Sequence, residues 1–190
     1  MSATIKPSQT LREVVMEATA AGIVVLGSST GEGYVDEEAW PANCKDVLSI
    51  GAAKPATGKE TSGSVRDNAR YMFPGKNLLV RTSFLGSPPW ETEVSGTSFA
   101  TAAAAGVASL VLACRHLALS TQNKARRWRS NEKFRGTLVE EMFIKMSRNK
   151  GKYVKPWVVF HQDEQQPRWG EAHSILGWVS EEFLDVEGWP

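Results

Sequence analysis

The sequence is poor in the features that mark special classes of protein. Its 190 residues hold only two cysteines, Cys44 and Cys114, at a spacing that fits no zinc motif. Two small thiols, buried or half-buried, are expected rather than a disulfide framework. The 22 lysines and arginines nearly balance 21 acidic residues, for a formal net charge of +1. No whole-molecule field therefore draws the chain to nucleic acid or to an anionic membrane. No apolar run approaches the roughly 18 residues of a membrane span. Met1 to Lys6 lacks the apolar core of a signal peptide. These absences lead to the expectation of a soluble, intracellular protein with no nucleic-acid or membrane partner, no metal and no cofactor. Neither an internal repeat nor a low-complexity tract is present. Histidine is scarce: His116, His161 and His173 are the only three.

Hydrophobic residues at 42% and charged residues at 23% are ordinary for a globular chain. Leu11, Val14, Val15 and Ala18 share one face of a 3.6-residue period, with Thr10 and Glu13 as a capping box and Gly22 past the helix end. Ile23–Leu26 and Val47–Ala53 are short apolar runs that read as buried strands. A loop of small residues is expected from Gly27 to Gly33 and a polar surface loop from Pro55 to Asn68. Phe73-Pro74-Gly75 reads as a turn, and Leu78 to Val80 as a brief strand. The strongest helix follows Ser95, with Phe99, Ala103, Gly106, Val107, Leu110, Cys114 and Leu117 along one stripe. After Leu119 come a basic run around Trp128 and an amphipathic helix carrying Leu138, Val139, Met142, Phe143 and Met146. The order of elements predicts an α/β layered fold with a mainly parallel sheet. We divide it into residues 1–120 and a helical, Trp-rich extension over 121–190.

The segment that carries chemistry runs from Ser95 to Gly106. Ser98 sits where a Gly-containing turn enters a helix of small residues. Its hydroxyl can project from the first turn, beside backbone N–H groups that have no intrahelical partner and at the positive end of the helix dipole. That arrangement suits a nucleophile next to a developing oxyanion. It equally suits Ser95 or Ser98 as a plain helix cap. Competing motifs are weaker. Gly27-Ser28-Ser29-Thr30-Gly31-Glu32 has Glu where a phosphate loop needs Lys. No Gly-x-Ser-x-Gly elbow exists. The run from Lys124 to Arg129 is expected to be a solvated face.

The wider pattern separates the alternatives. Gly96-Thr97-Ser98, Ala100 and the small residues to Gly106 resemble the nucleophile motif of the subtilisin-like serine peptidases. Ala20-Ala21-Gly22-Ile23-Val24-Val25 resembles the helix end and strand that lead to that family's oxyanion loop. Trp40-Pro41-Ala42 with Val47–Ala52, and Phe73-Pro74-Gly75 with Leu78-Leu79, are similar to two further family segments in family order. The resemblance implies a subtilisin-like three-layer α/β fold whose N-terminal part is missing from these residues. It also implies hydrolysis of polypeptide substrates through Ser98, with the Ser98 backbone N–H as one oxyanion donor. The family's oxyanion asparagine is absent; Gly31 or Thr30 stands at its place. The family's chain order is Asp, His, Ser, with the histidine roughly 150 residues before the serine. Only 97 residues precede Ser98, and none is histidine. His116 lies 18 residues along the same helix, roughly 27 Å away by helical rise. The resemblance thus implies a serine endopeptidase that is inactive as this chain. The other reading is a degenerate, non-catalytic interaction module that keeps the fold.

Overall fold

A computed structural model describes residues 8–29, 40–54, 69–82, 90–121, 135–147, 152–160 and 179. Helix α1 (Gln9–Ala20) starts at Ser8, whose extended backbone lets its hydroxyl oxygen accept the Leu11 N–H. The cap expected at Thr10 is thus two residues too late. Gly22, at φ 77, turns the chain out of the helix as its sequence position implies. Only Val15 of the predicted face is buried; it packs with Trp40 and Val47.

Strands β1 (Leu26–Ser28), β2 (Leu48–Ala53) and β3 (Tyr71–Pro74) form a parallel sheet in that order. Leu26 pairs with Leu48, and Ile50 pairs with Tyr71. The strand expected over Ile23–Leu26 begins three residues later. Its neighbour β2 starts only at Leu48, so residues 23–25 have little beside them to pair with beyond the Leu48 N–H on the Val25 carbonyl. The segment read as a turn at Phe73-Pro74 is the end of a strand, where a proline sits without costing a ladder bond. Beyond it, β4 (Leu78–Thr82) and β5 (Trp90–Val94) make an antiparallel pair, Leu78 opposite Val94.

Helix α2 (Thr97–Thr121) lies across the three parallel strands. Its buried face is Ala100, Ala104, Ala108, Val111 and Ala118, against Ile50, Ala52 and Phe73. The stripe singled out in the sequence is split: Val107 and Cys114 are half-buried against the core, whereas Phe99, at 42%, and Leu110, at 46%, are exposed. Methyl side chains win the sheet side because they let the helix axis come close; the larger residues are displaced outward. The stretch Thr97–Ser120 is also long and apolar enough, by length and composition, to cross a membrane, although Arg115 and His116 interrupt its apolar run. In the fold it is the central helix.

Helix α3 (Arg135–Met146) joins the same core through Leu138, Val139, Met142, Phe143 and Met146. The Phe143 ring stands edge-on to Tyr71 at 5.3 Å and to Phe73 at 5.1 Å, geometry that aromatic quadrupoles favour. Arg115 of α2, only 2% exposed, faces Glu141 of α3, and burial pushes the carboxyl up while the guanidinium opposes it. The Met72 N–H donates to the Lys152 carbonyl at 2.7 Å and the Val154 N–H to the Met72 carbonyl at 2.9 Å. Residues 152–154 therefore cover the outer edge of β3. The short helix α4 (Trp157–Phe160) follows.

The other edge of the sheet, β1, has no partner strand among the described residues. Ahead of β1 Ile23 is 57% exposed, and at the starts of the strands a cavity of about 380 Å³ opens among Met16, Ile23, Val24 and Arg70. A strand edge with no paired neighbour is a template for pairing. The 190-residue chain is expected to self-associate as its concentration rises, and Ile23→Lys to reduce that association, both read by analytical ultracentrifugation. A monodisperse monomer at every concentration would contradict this.

A second expectation concerns Tyr71. Burial first, and then the neighbouring Glu140 carboxylate, push its phenol up to about 12, and its hydroxyl donates to Glu140 at 3.3 Å. Folded Tyr71 holds its proton to higher pH than the unfolded chain, whose phenol titrates near 10. Its stabilisation is complete below about pH 10 and is lost as pH climbs toward 12. Urea unfolding should show a steeper loss of stability over that window for wild type than for Tyr71→Phe. Equal slopes would mean the phenol is not held in this way.

Candidate functional site

The C-terminal ends of the parallel strands meet the N-terminus of α2, and Ser98 lies there. Chain leaving β5 passes Ser95 and Gly96 and enters the helix at Thr97. The N–H groups of Phe99 and Ala100 both donate to the Gly96 carbonyl, at 3.2 and 3.4 Å, which closes the first turn. Two contacts tie the turn to the β3–β4 connection. The Gly96 N–H donates to the Gly75 carbonyl at 2.7 Å, and the Asn77 N–H donates to the Ser95 hydroxyl oxygen at 2.9 Å. Ser95 thus serves the neighbouring loop and does not cap the helix by itself.

Gly75 decides how near the turn can come. A Cβ there would fall 2.8 Å from Ala100 Cβ, 2.9 Å from Ala52 Cβ and 2.9 Å from the Gly96 carbonyl oxygen. None of these atoms can swing aside. On the other flank, the Ser28 hydroxyl at the end of β1 donates to the Thr97 hydroxyl at 2.6 Å. Inside the helix the Thr101 hydroxyl donates to the Thr97 carbonyl at 2.8 Å. Ser28 and Gly75 are the residues that sequence reasoning missed as parts of the site. Gly75 was legible as a turn glycine but not as a contact for α2. Ser28 lies 69 residues from its partner, and no local pattern reveals such a pair.

Ser98 is exposed at the second residue of α2. A serine in the first turn lies near N–H groups that the helix itself does not use. The imidazole it needs as a base is not beside it in the described residues. His116, exposed, is on α2 with Ser98, and one continuous helix separates them by roughly 27 Å. His161 and His173 lie outside the described residues, as do Thr30 and Gly31, the two positions that stand where an oxyanion donor is expected. Among the described residues no three His, Cys, Asp or Glu side chains gather into a group fit for a metal ion. Cys44 and Cys114 are both free thiols, each half-buried, with burial raising the pKa of both. Neither is near the Ser98 turn in the fold: Cys44 packs beside Val15 and Trp40, and Cys114 beside the core of α2.

The family model described as "Subtilase family" matches residues 1–156. The subtilisin-like protease het-Q2 of Podospora anserina is 32% identical over 113 residues, covering 54% of this chain and 29% of that protein. Subtilisin BL of Lederbergia lenta is 30% identical over 105 residues, covering 55% of this chain and 37% of that protein. Among the curated relatives it matches, the chain spans between 18% and 38% of their length. The solved structure of the patellamide maturation protease PatA superposes with a TM-score of 0.53 at 16% identity, covering 95% of this chain and 62% of that one. At that identity the likeness is one of fold.

The tight approach at Gly75 gives a test of the site's construction. Gly75→Ala is expected to cost about 1–3 kcal/mol, as overpacked cores do, and to shift the first turn of α2. Gly106→Ala, on the same helix with nothing within 4 Å of the new methyl, is expected to gain up to about 1 kcal/mol from helix propensity. Thermal or urea unfolding of the two variants checks both signs; a neutral Gly75→Ala would mean the turn has room to spare.

Proposed function

The chain belongs to the subtilase family, and on that premise we propose that it is the serine-bearing part of a serine endopeptidase with Ser98 as its nucleophile. In this reading the 190 residues alone are inactive, and an aspartate and a histidine from outside them complete the triad. The single observation that carries the proposal is the placement of Ser98: exposed, at the head of α2, on a turn held from both flanks. A serine held in this way is positioned but not activated. Its hydroxyl needs an adjacent imidazole to take the proton as the oxygen attacks a peptide carbonyl, and the imidazole needs a carboxylate to orient it. The acyl-enzyme would form at Ser98 Oγ, and the Ser98 backbone N–H would face the oxyanion.

The open face of α2 supports a completing segment. Phe99, Gly106, Leu110 and Leu117 run along it from the Ser98 end, and a helix that is apolar all round is a buried helix. A segment lying over that face brings its side chains to Ser98. Polypeptide is the substrate class that follows.

The second reading is a non-catalytic interaction module. One observation favours it: Thr30 or Gly31 stands where the family has its asparagine amide. Loss of one oxyanion donor costs on the order of 10²–10³ in turnover, so selection for activity would not readily tolerate it.

A fluorophosphonate probe separates these readings, with adducts located by mass spectrometry. The 190-residue chain is expected to remain unlabelled. The longest natural form of the protein is expected to label at Ser98 and to lose the label in Ser98→Ala. Labelling of the short chain would refute its inactivity. An unlabelled longest form would leave the interaction module as the surviving account.

A further inference from the structure

We infer that Ser28 is a positioning residue for Ser98, acting through the hydroxyl of Thr97; this rests on Ser98 being the nucleophile. Ser28 is 3% exposed and closes β1. The next residue fixes the strand end: the Ser29 N–H donates to the Ile50 carbonyl at 2.8 Å. Ser28 therefore holds the geometry of the sheet, and its hydroxyl carries that geometry to the first residue of α2.

The hydrogen-bond accounting closes at both hydroxyls. A serine hydroxyl has one proton. Two oxygens lie within reach of Ser28 Oγ: the Ser29 carbonyl at 3.2 Å and the Thr97 hydroxyl at 2.6 Å. The shorter contact is at the strong end of the O–H···O range. Thr97 brings a proton of its own: with the Ser28 proton on the Ser29 carbonyl the Thr97 hydroxyl donates to Ser28 Oγ, and with it on Thr97 Oγ1 that oxygen accepts, so the two side chains are bonded in either sense. The Thr97 carbonyl is meanwhile engaged by the Thr101 hydroxyl. Thr97 is thus held at side chain and main chain, and Ser98 is the next residue.

Two flanks hold the turn, and they do different work. Gly75 and Asn77 grip Ser95 and Gly96 from the β3–β4 side. Ser28 grips Thr97 from the β1 side. Without the second grip the first helical residue can rotate about the first, and that rotation moves Ser98 Oγ sideways. Misplacing a reacting group by about 1 Å can cost roughly 10²-fold. Ser28 is buried and Thr97 half-buried, and a buried hydroxyl is costly to maintain unless it bonds. An alanine pair of similar shape would pack there without that demand.

The test uses the longest natural form of the protein and measures kinact and KI for a fluorophosphonate in Ser28→Ala, Thr97→Val, Thr97→Ser and the double variant Ser28→Ala/Thr97→Val. Ser28→Ala and Thr97→Val are each expected to lower kinact about tenfold with KI unchanged. The double variant should lose no more than the larger single loss, because both remove one bond. Thr97→Ser, which keeps the hydroxyl, should retain the rate. A purely structural role would lower thermal stability without moving kinact. Should Ser28→Ala fail to fold, Thr97→Val against Thr97→Ser reads the same bond. An unchanged kinact in Ser28→Ala, or losses that multiply in the double variant, overturns the positioning role while leaving Ser98 as nucleophile. A wild-type protein that takes no label removes the nucleophile, and the positioning role falls with it.

Discussion

The close approach of α2 to the parallel sheet is the constraint on which the rest of the structure depends. Ala100, Ala104 and Ala108 face Ile50, Ala52 and Phe73, and no side chain larger than a methyl stands at those three helix positions. Gly75 extends the same economy to the loop, since even a methyl there would meet Ala100, Ala52 and the Gly96 carbonyl at under 3 Å. Because the helix lies so near, the hydroxyl of Ser28 on β1 reaches that of Thr97, and the Gly75 carbonyl reaches the Gly96 N–H. The exposed placement of Ser98 follows from these contacts. A larger residue at any of them would lift the helix and undo the others together.

That dependence explains which parts were legible in the sequence. The helix over residues 97–121, the strand over 48–53 and the apolar face of α3 all follow from local periodicity, and the structure has them. The orientation of α2 does not follow. Local periodicity puts Phe99, Leu110 and Leu117 on one stripe without saying which side meets the sheet; the structure buries Ala100, Ala104 and Ala108 together with Val111. Volume decides there, and volume matters only when the partner surface is known. Strand β3 was hidden behind Pro74-Gly75, a pair that reads locally as a turn. Strand β5 carries a period-two pattern, with Glu91 and Glu93 alternating with Thr92 and Val94, but Pro88-Pro89 masked its start. At the site, Ser98 was readable from the turn and the small residues after it. Ser28 was not, because its role exists only through a partner on another element.

Two uncovered surfaces share a physical origin. Among the described residues, the edge of β1 has no paired strand and Phe99, Leu110 and Leu117 of α2 are exposed. In a helix–sheet–helix arrangement such surfaces are interior ones. The curated relatives that this chain matches are longer by factors that leave room for covering segments, since the chain accounts for at most 38% of each. In the proposed reading, the edge, the face and the missing base belong to one description, in which a segment that covers the helix would also carry the imidazole.

The most direct measurement is a structure of the longest natural form of the protein, read for the imidazole nearest to Ser98 Oγ. The account predicts a nitrogen at about 3 Å from a histidine outside these 190 residues, carried by a segment lying on the open face of α2. An imidazole of His161 or His173 at that distance, or α2 left uncovered with no imidazole near Ser98, would contradict it.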